Sequence, residues 1–167
     1  MQSRIKNPAG LLPDAMQALQ ALNSVAEKSG LSPTILGLVH LRVSQVNGCS
    51  VCVDLGWRQL KRAGEKDERL FAVSAWRDTP YFTNIERAAL AVAEAATRIA
   101  DRSDPVPDDV WNEAARHLSE RELAALILSI ALTNVWNRLN VATRQVAGEW
   151  LKSAAARDWT EKHAVAS

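Results

Sequence analysis

The two cysteines of the chain, Cys49 and Cys52, lie in the stretch VNGCSVCVDLGW. On a helix, a spacing of three puts both sulfurs on one face, close enough to form a disulfide. Asn47-Gly48 interrupts the preceding apolar pattern, and both residue types tolerate left-handed backbone, so a new helix is predicted from about Cys49. A cysteine at that start meets unpaired backbone N–H groups and the positive end of the helix dipole. These favour thiolate over thiol and lower the pKa below that of a free cysteine. A nucleophilic cysteine with a partner thiol one turn away can attack a peroxide, become a sulfenic acid and condense to a disulfide before over-oxidation. The same spacing also fits two buried, inert cysteines, and the C-x-x-C alone leaves both readings open.

Other C-x-x-C chemistries find less support. A structural zinc site takes ~4 ligands, and beyond the cysteines the chain offers only three scattered histidines, His40, His117 and His163. A c-type haem motif needs histidine directly after the second cysteine, where this chain has Val53. A thioredoxin-type motif follows a β-strand, whereas here the preceding segment is an amphipathic helix. No metal and no cofactor are expected.

The elements that must position the pair read as helices throughout. Pro13-Asp14 opens one with Met16, Leu19, Leu22 and Val25 in a stripe, closed at Gly30. Ser32-Pro33 opens the next, with Ile35, Leu38, Val39, Leu41 and Val46 as its apolar face. The cysteine helix runs to Gly64, and GEKDERLFAVSAW gives a short fourth. Thr83 with Glu86, and Ser119 with Glu122, are capping boxes ahead of two clear helices, the second reaching toward Gln145. Between them DRSDPVPDD is a linker whose second proline opens a short helix through His117. The tail after Gly148 contains Trp150 and Trp159 and reads as a further helix or a frayed end. Trp57, Trp76, Trp111 and Trp136 fall in helical segments and read as core or interface packing. No stretch shows sustained strand alternation, so the fold class is all-α, a single domain over 1–167 with its core at about 6–150 and a tail at 151–167.

Composition narrows the function. The 167 residues are 47% apolar, enough to bury a core without staples, and 7 glycines and 6 prolines favour helix. With 20 Lys and Arg against 19 Asp and Glu, no basic patch argues for nucleic acid. The first residues carry no signal-peptide core, and the most apolar run, LAALILSIAL, is shorter than the ~20 residues of a membrane span. A soluble, cytoplasmic protein with no membrane or nucleic-acid partner is expected. There a C-x-x-C pair is more often redox-active or metal-binding than a structural disulfide.

The wider sequence resembles the alkylhydroperoxidase D-like proteins of the carboxymuconolactone decarboxylase superfamily. The likeness rests on R-x-S-Q-x-N-G-C-x-x-C from Arg42 to Cys52, the G-E-x-x-x-R-L run from Gly64 to Leu70, SAW at Trp76, ERAAL, and TNVWNRL from Thr133 to Leu139, and it covers roughly Lys6 to Trp150. It implies an all-helical fold carrying C-x-x-C at a helix N-terminus, and a homo-oligomer, whether dimer, trimer or hexamer. It further implies peroxide reduction or thiol–disulfide exchange without metal, flavin or haem, with a peroxide substrate and a dithiol reductant or peroxiredoxin as partner. Matched by position, Cys52 attacks the peroxide and Cys49 resolves.

Two positions depart from that pattern. The family's histidine four residues after the second cysteine is Gly56 here, and its glutamate on the preceding helix falls at Gly37 or His40. Gly56 leaves space that Trp57 is placed to fill. His40 lies on the helix leading into the cysteines, where a neutral imidazole could serve as the base for Cys49 or Cys52; an ordinary hydrogen-bonded histidine is the alternative. Arg42 and Ser44 are expected to orient the helix–turn–helix, Asn47 to serve the turn, and Trp136 and Asn137 to support the cysteines or a subunit interface. A thiol peroxidase is one reading of the whole. A divergent binding or structural oligomer without the relay, or a carboxymuconolactone decarboxylase-like enzyme, is the other.

Overall fold

The computed structural model describes residues 1–100 and 102–152. The expectation of a tail helix, with Trp159 and His163, lies beyond them. The described chain is all-helical: α1 Pro8–Leu11, α2 Pro13–Glu27, α3 Pro33–Val46, α4 Ser50–Arg62, α5 Asp67–Ala72, α6 Asn84–Thr97, α7 Asp108–Ala115 and α8 Glu120–Ala142. Single 3₁₀ segments cover Val73–Asp78 and Glu149–Lys152.

Helix α3 is the axis of the domain, because it is apolar on two sides. Ile35, Val39 and Val43, four residues apart, form one stripe against Ala89, Val92, Leu126 and Ile130 of α6 and α8. Leu38 and Leu41 point into a second cluster with Leu60 of α4, Leu70 of α5, Val73, Trp76 and Leu90. A helix buried on both sides cannot rotate or slide without opening one cluster, so its C-terminal end is a fixed platform for the turn into α4. Both expected capping boxes are formed, Thr83 with Glu86 on α6 and Ser119 with Glu122 on α8. No described helix is long and apolar enough to cross a membrane.

Three details differ from the sequence reading. The segment after Gly64 is not one helix: α5 ends at Ala72, and a 3₁₀ stretch kinked at Ala75 turns Trp76 into the core. Asn47 is right-handed (φ −84°), and only Gly48 (φ 66°) is left-handed. Helix α8 stops at Ala142 rather than near Gln145, closed by Arg144 N–H to Val141 C=O and Gln145 N–H to Asn140 C=O. This paired closure normally places glycine in the left-handed position. Here Arg144 takes it, at φ 54°, so no glycine marks the stop in the sequence.

Candidate active site

The turn between α3 and α4 uses the same closure with glycine in its usual place. Gly48 N–H bonds to Gln45 C=O and Cys49 N–H to Ser44 C=O. This delivers Cys49 as the N-cap of α4, and its side chain accepts from the Cys52 backbone N–H at 3.4 Å. Both thiols are free and buried, with their sulfurs 2.7 Å apart in a shared hydrogen bond.

The second wall is α8, which presents asparagine at three-residue intervals. Asn140 Nδ2 donates to Cys52 Sγ at 3.2 Å. Asn137 Nδ2 donates to Ser44 Oγ, and the Oδ1 atoms of Asn137 and Asn134 both accept from Asn47 Nδ2, at 2.8 and 2.9 Å. Asn47 and Ser44 therefore clamp the α3–α4 turn onto α8, so the expected role of Asn47 in the turn is exercised by its side chain. The sequence reading named Asn137 but missed Asn140. The signal was the N-x-x-N-x-x-N spacing from Asn134 to Asn140, which lines one face of a helix.

The two sulfurs are not equivalent. Cys49 is held below its ordinary value, at about 7, chiefly by its hydrogen bond with Cys52, which outweighs burial; the Cys52 N–H and the Asn140 and Asn137 amides add to this. Cys52 is pushed up, first by sharing its proton with Cys49 and then by burial. Where Cys49 is the thiolate, the Cys52 S–H donates to it, and one proton is shared between the two sulfurs. A cavity of about 180 Å³ opens beside them, lined by Gly48, Cys49, Ser50, Asn140, Arg144 and Gln145 among others. Cys49 borders it and Cys52 does not.

His40 reaches α4 at a different atom. Its Nε2–H donates to the Cys52 carbonyl at 3.3 Å, and its Nδ1 faces Thr133 Oγ1 at 3.4 Å. In this tautomer the ring lone pair points to Thr133, away from the sulfurs. Burial depresses its pKa and keeps it neutral, against a smaller opposing effect of the carbonyl. His40 also fills the space at Gly56: a Cβ there would stand 2.8 Å from His40 Cδ2. Trp57, expected in that gap, packs instead against the cluster around Leu60 and Trp76. Likewise a Cβ at Gly37 would lie 2.6 Å from Leu60 Cδ2. The two glycines at the departing positions are the contacts through which α3 and α4 close on each other.

Arg42 is held elsewhere. It pairs with Glu94 of α6 at 2.5 Å, and Glu94 also accepts from Trp76 Nε1 and Arg77. Burial opposes the charge of Glu94, but Arg77, Trp76 and Arg42 outweigh it and its pKa ends below the carboxylate norm. Asp54 is bound by Arg58 at 2.9 Å. Trp136 is half-buried on α8 and takes no part in the hydrogen bonds around the sulfurs. Among the described residues no group of three or more His, Cys, Asp or Glu is placed to hold a metal ion.

Comparison with known proteins agrees with this architecture. The carboxymuconolactone decarboxylase family model matches residues 13–95. The uncharacterised protein YdfG of Bacillus subtilis is 30% identical over 132 residues, covering 79% of this chain and 88% of YdfG. Among solved structures, a protein of unknown function from Agrobacterium tumefaciens, named AhpD with a suggested role in antioxidant defence, superposes with a TM-score of 0.81 at 34% identity, covering 87% of this chain and 98% of that one. The debrominase Bmp8, solved with 2,3,4-tribromopyrrole as a cysteine-to-alanine variant, gives a TM-score of 0.73 at 22% identity, covering 92% and 79%, a likeness of fold.

Proposed function

The chain belongs to the carboxymuconolactone decarboxylase family, and from that premise we propose that it is a thiol-dependent peroxide reductase whose working group is the Cys49–Cys52 dithiol. The observation that carries this is the pair itself: two free thiols 2.7 Å apart, one at a helix N-cap and bordering a cavity. The family resemblance gave the attack to Cys52. In this chain Cys49 is the N-cap that accepts from the Cys52 backbone N–H and borders the cavity, and the histidine that would activate the other sulfur is Gly56, so we assign the attack to Cys49.

The Cys49 thiolate attacks the distal oxygen of a hydroperoxide and the O–O bond breaks. The alcohol leaves with a proton from solvent, and Cys49 becomes a sulfenic acid. The Cys52 thiol then displaces hydroxide from that sulfur, its own proton leaving with it as water, and the disulfide forms. A dithiol reductant returns two electrons and two protons to the pair, itself becoming a disulfide; a peroxiredoxin partner would instead take electrons from the reduced pair. A cytoplasmic setting suits this cycle, since the pair must be kept reduced. The protein is taken to work as a homo-oligomer, a reading supported by exposed Leu22 and Val25 on α2 and Val135 and Val141 on α8.

The test is peroxide consumption with a dithiol by wild type, Cys49→Ser and Cys52→Ser. Wild type should turn over and both variants should stop. Reduced Cys52→Ser should form one sulfenic acid, trapped by dimedone, and Cys49→Ser should not. Sulfenic acid at Cys52 instead would restore the family assignment. Equal consumption by all three proteins would leave the binding oligomer as the better reading.

A further inference from the structure

The hydrogen bonds around Cys52 extend through Asn140 to Asn7, far from it in sequence. An asparagine amide presents either an acceptor or a donor, and which one faces a sulfur decides whether thiol or thiolate is favoured. The orientation is fixed only where a neighbour of known polarity reads it out. Such a neighbour exists here. The backbone N–H of Ala9, a donor under all conditions, donates to Asn7 Oδ1 at 2.9 Å, with Asn7 as N-cap of α1. The other end of the same amide, Asn7 Nδ2, must then point away, and it donates to Asn140 Oδ1 at 2.8 Å. With its oxygen so engaged, Asn140 can turn only Nδ2 toward Cys52 Sγ.

We propose that Asn7 is a positioning residue for the dithiol: by capping α1 with its oxygen it fixes the Asn140 amide with its N–H toward the sulfurs. The N-terminal segment is held in place for this. Arg4 N–H bonds to Thr143 C=O, the Arg4 guanidinium to Ala142 C=O, and Gln145 Nε2 to Ile5 C=O, which clasps residues 4–7 across the end of α8. The Asn140 donor lowers the pKa of both sulfurs. The other titratable groups that surrounding elements bring here are His40 of α3, engaged with the Cys52 carbonyl, and Arg144 after α8, on the rim of the cavity. On α4, Asp54 Oδ1 accepts from Arg58 Nε.

This rests on the dithiol reading, and its test does not use peroxide. Asn7→Asp keeps a strong N-cap but replaces the donor with a second acceptor. Asn140 must then turn its Nδ2 to the introduced carboxylate and its Oδ1 to the sulfur. Asn7→Ser keeps a cap without any amide or charge and leaves Asn140 free to turn. The pH profile of iodoacetamide alkylation is measured on the reduced full chain, with urea midpoints as the check on folding. Asn7→Asp should move the alkylation midpoint up by about one pH unit, roughly a fivefold slower reaction at pH 7. Asn7→Ser should move it the same way by less, with both urea midpoints close to wild type. Superimposable profiles would overturn the proposal, and so would a shift in Asn7→Asp alone, which would be charge acting without the amide. Should Asn7→Asp not fold, Asn7→Ser decides by the same shift or its absence. A wild type that consumes no peroxide would sink the proposed function and leave this comparison standing.

Discussion

At the residue scale the chemistry turns on which sulfur holds the charge. The Cys49 pKa of about 7 lies below its ordinary 9.0, so the unfolded chain binds more protons than the folded one between these values. Stability of the reduced protein should therefore rise with pH from about 7 to 9, and this contribution is lost as pH falls through 7. Cys52 is shifted the other way, so above about 9 the trend reverses. Urea titrations of reduced wild type and Cys49→Ser across this range check it; a flat difference between the two would mean Cys49 is an ordinary thiol. His40, neutral through burial, should cost stability as pH falls below its ordinary 6.5, until its depressed pKa is reached. Because its lone pair faces Thr133, His40→Ala should leave the alkylation midpoint nearly in place. A rise of a full pH unit would reinstate it as the base. That the two sulfurs meet at a helix start was legible from spacing. The direction of the His40 ring was not, because tautomer and contact depend on Thr133, 93 residues away.

At the element scale, function depends on how closely α3 and α4 approach. Gly56→Ala drives a methyl into His40, a clash worth about 1–3 kcal/mol. Combined with His40→Ala, it should cost less than the sum of the two single changes, because the second removes the obstacle. Additivity in a denaturation cycle would show that the two residues do not share the space. Asn47→Ala strips the donor from two asparagine oxygens of α8 and should cost about 1–3 kcal/mol. The end of α8 offers the opposite sign. A left-handed arginine is strained by about 1 kcal/mol relative to glycine, so Arg144→Gly should raise the urea midpoint while removing a charge from the rim of the Cys49 cavity. Helix starts were readable because capping boxes and prolines are local signals. The stop at Ala142 was not, because the residue in the left-handed position is not glycine.

At the scale of the whole molecule, Glu94 ties α3, the 3₁₀ segment and α6 together through Arg42, Trp76 and Arg77. Removing its charge in Glu94→Gln leaves Arg42 poorly paired and should cost about 3 kcal/mol without moving the thiol midpoint, since none of these groups touches a sulfur. A shift in that midpoint would show that the network reaches the cysteines. Assembly is tested by sedimentation equilibrium: a dimer, trimer or hexamer is expected, and a monomer at all concentrations would overturn the homo-oligomer.

The sequence by itself determined the helical class, the dithiol at a helix start and the family motifs, because periodicity, caps and spacing are properties of neighbours along the chain. Tertiary structure decided what fills the place of the missing histidine, and that Asn140 reaches a sulfur and is in turn held by Asn7. Those answers depend on which polar groups are brought face to face across α3, α4, α8 and the N-terminal segment. Two glycines that read as lost machinery proved to be the close contacts that make that meeting possible.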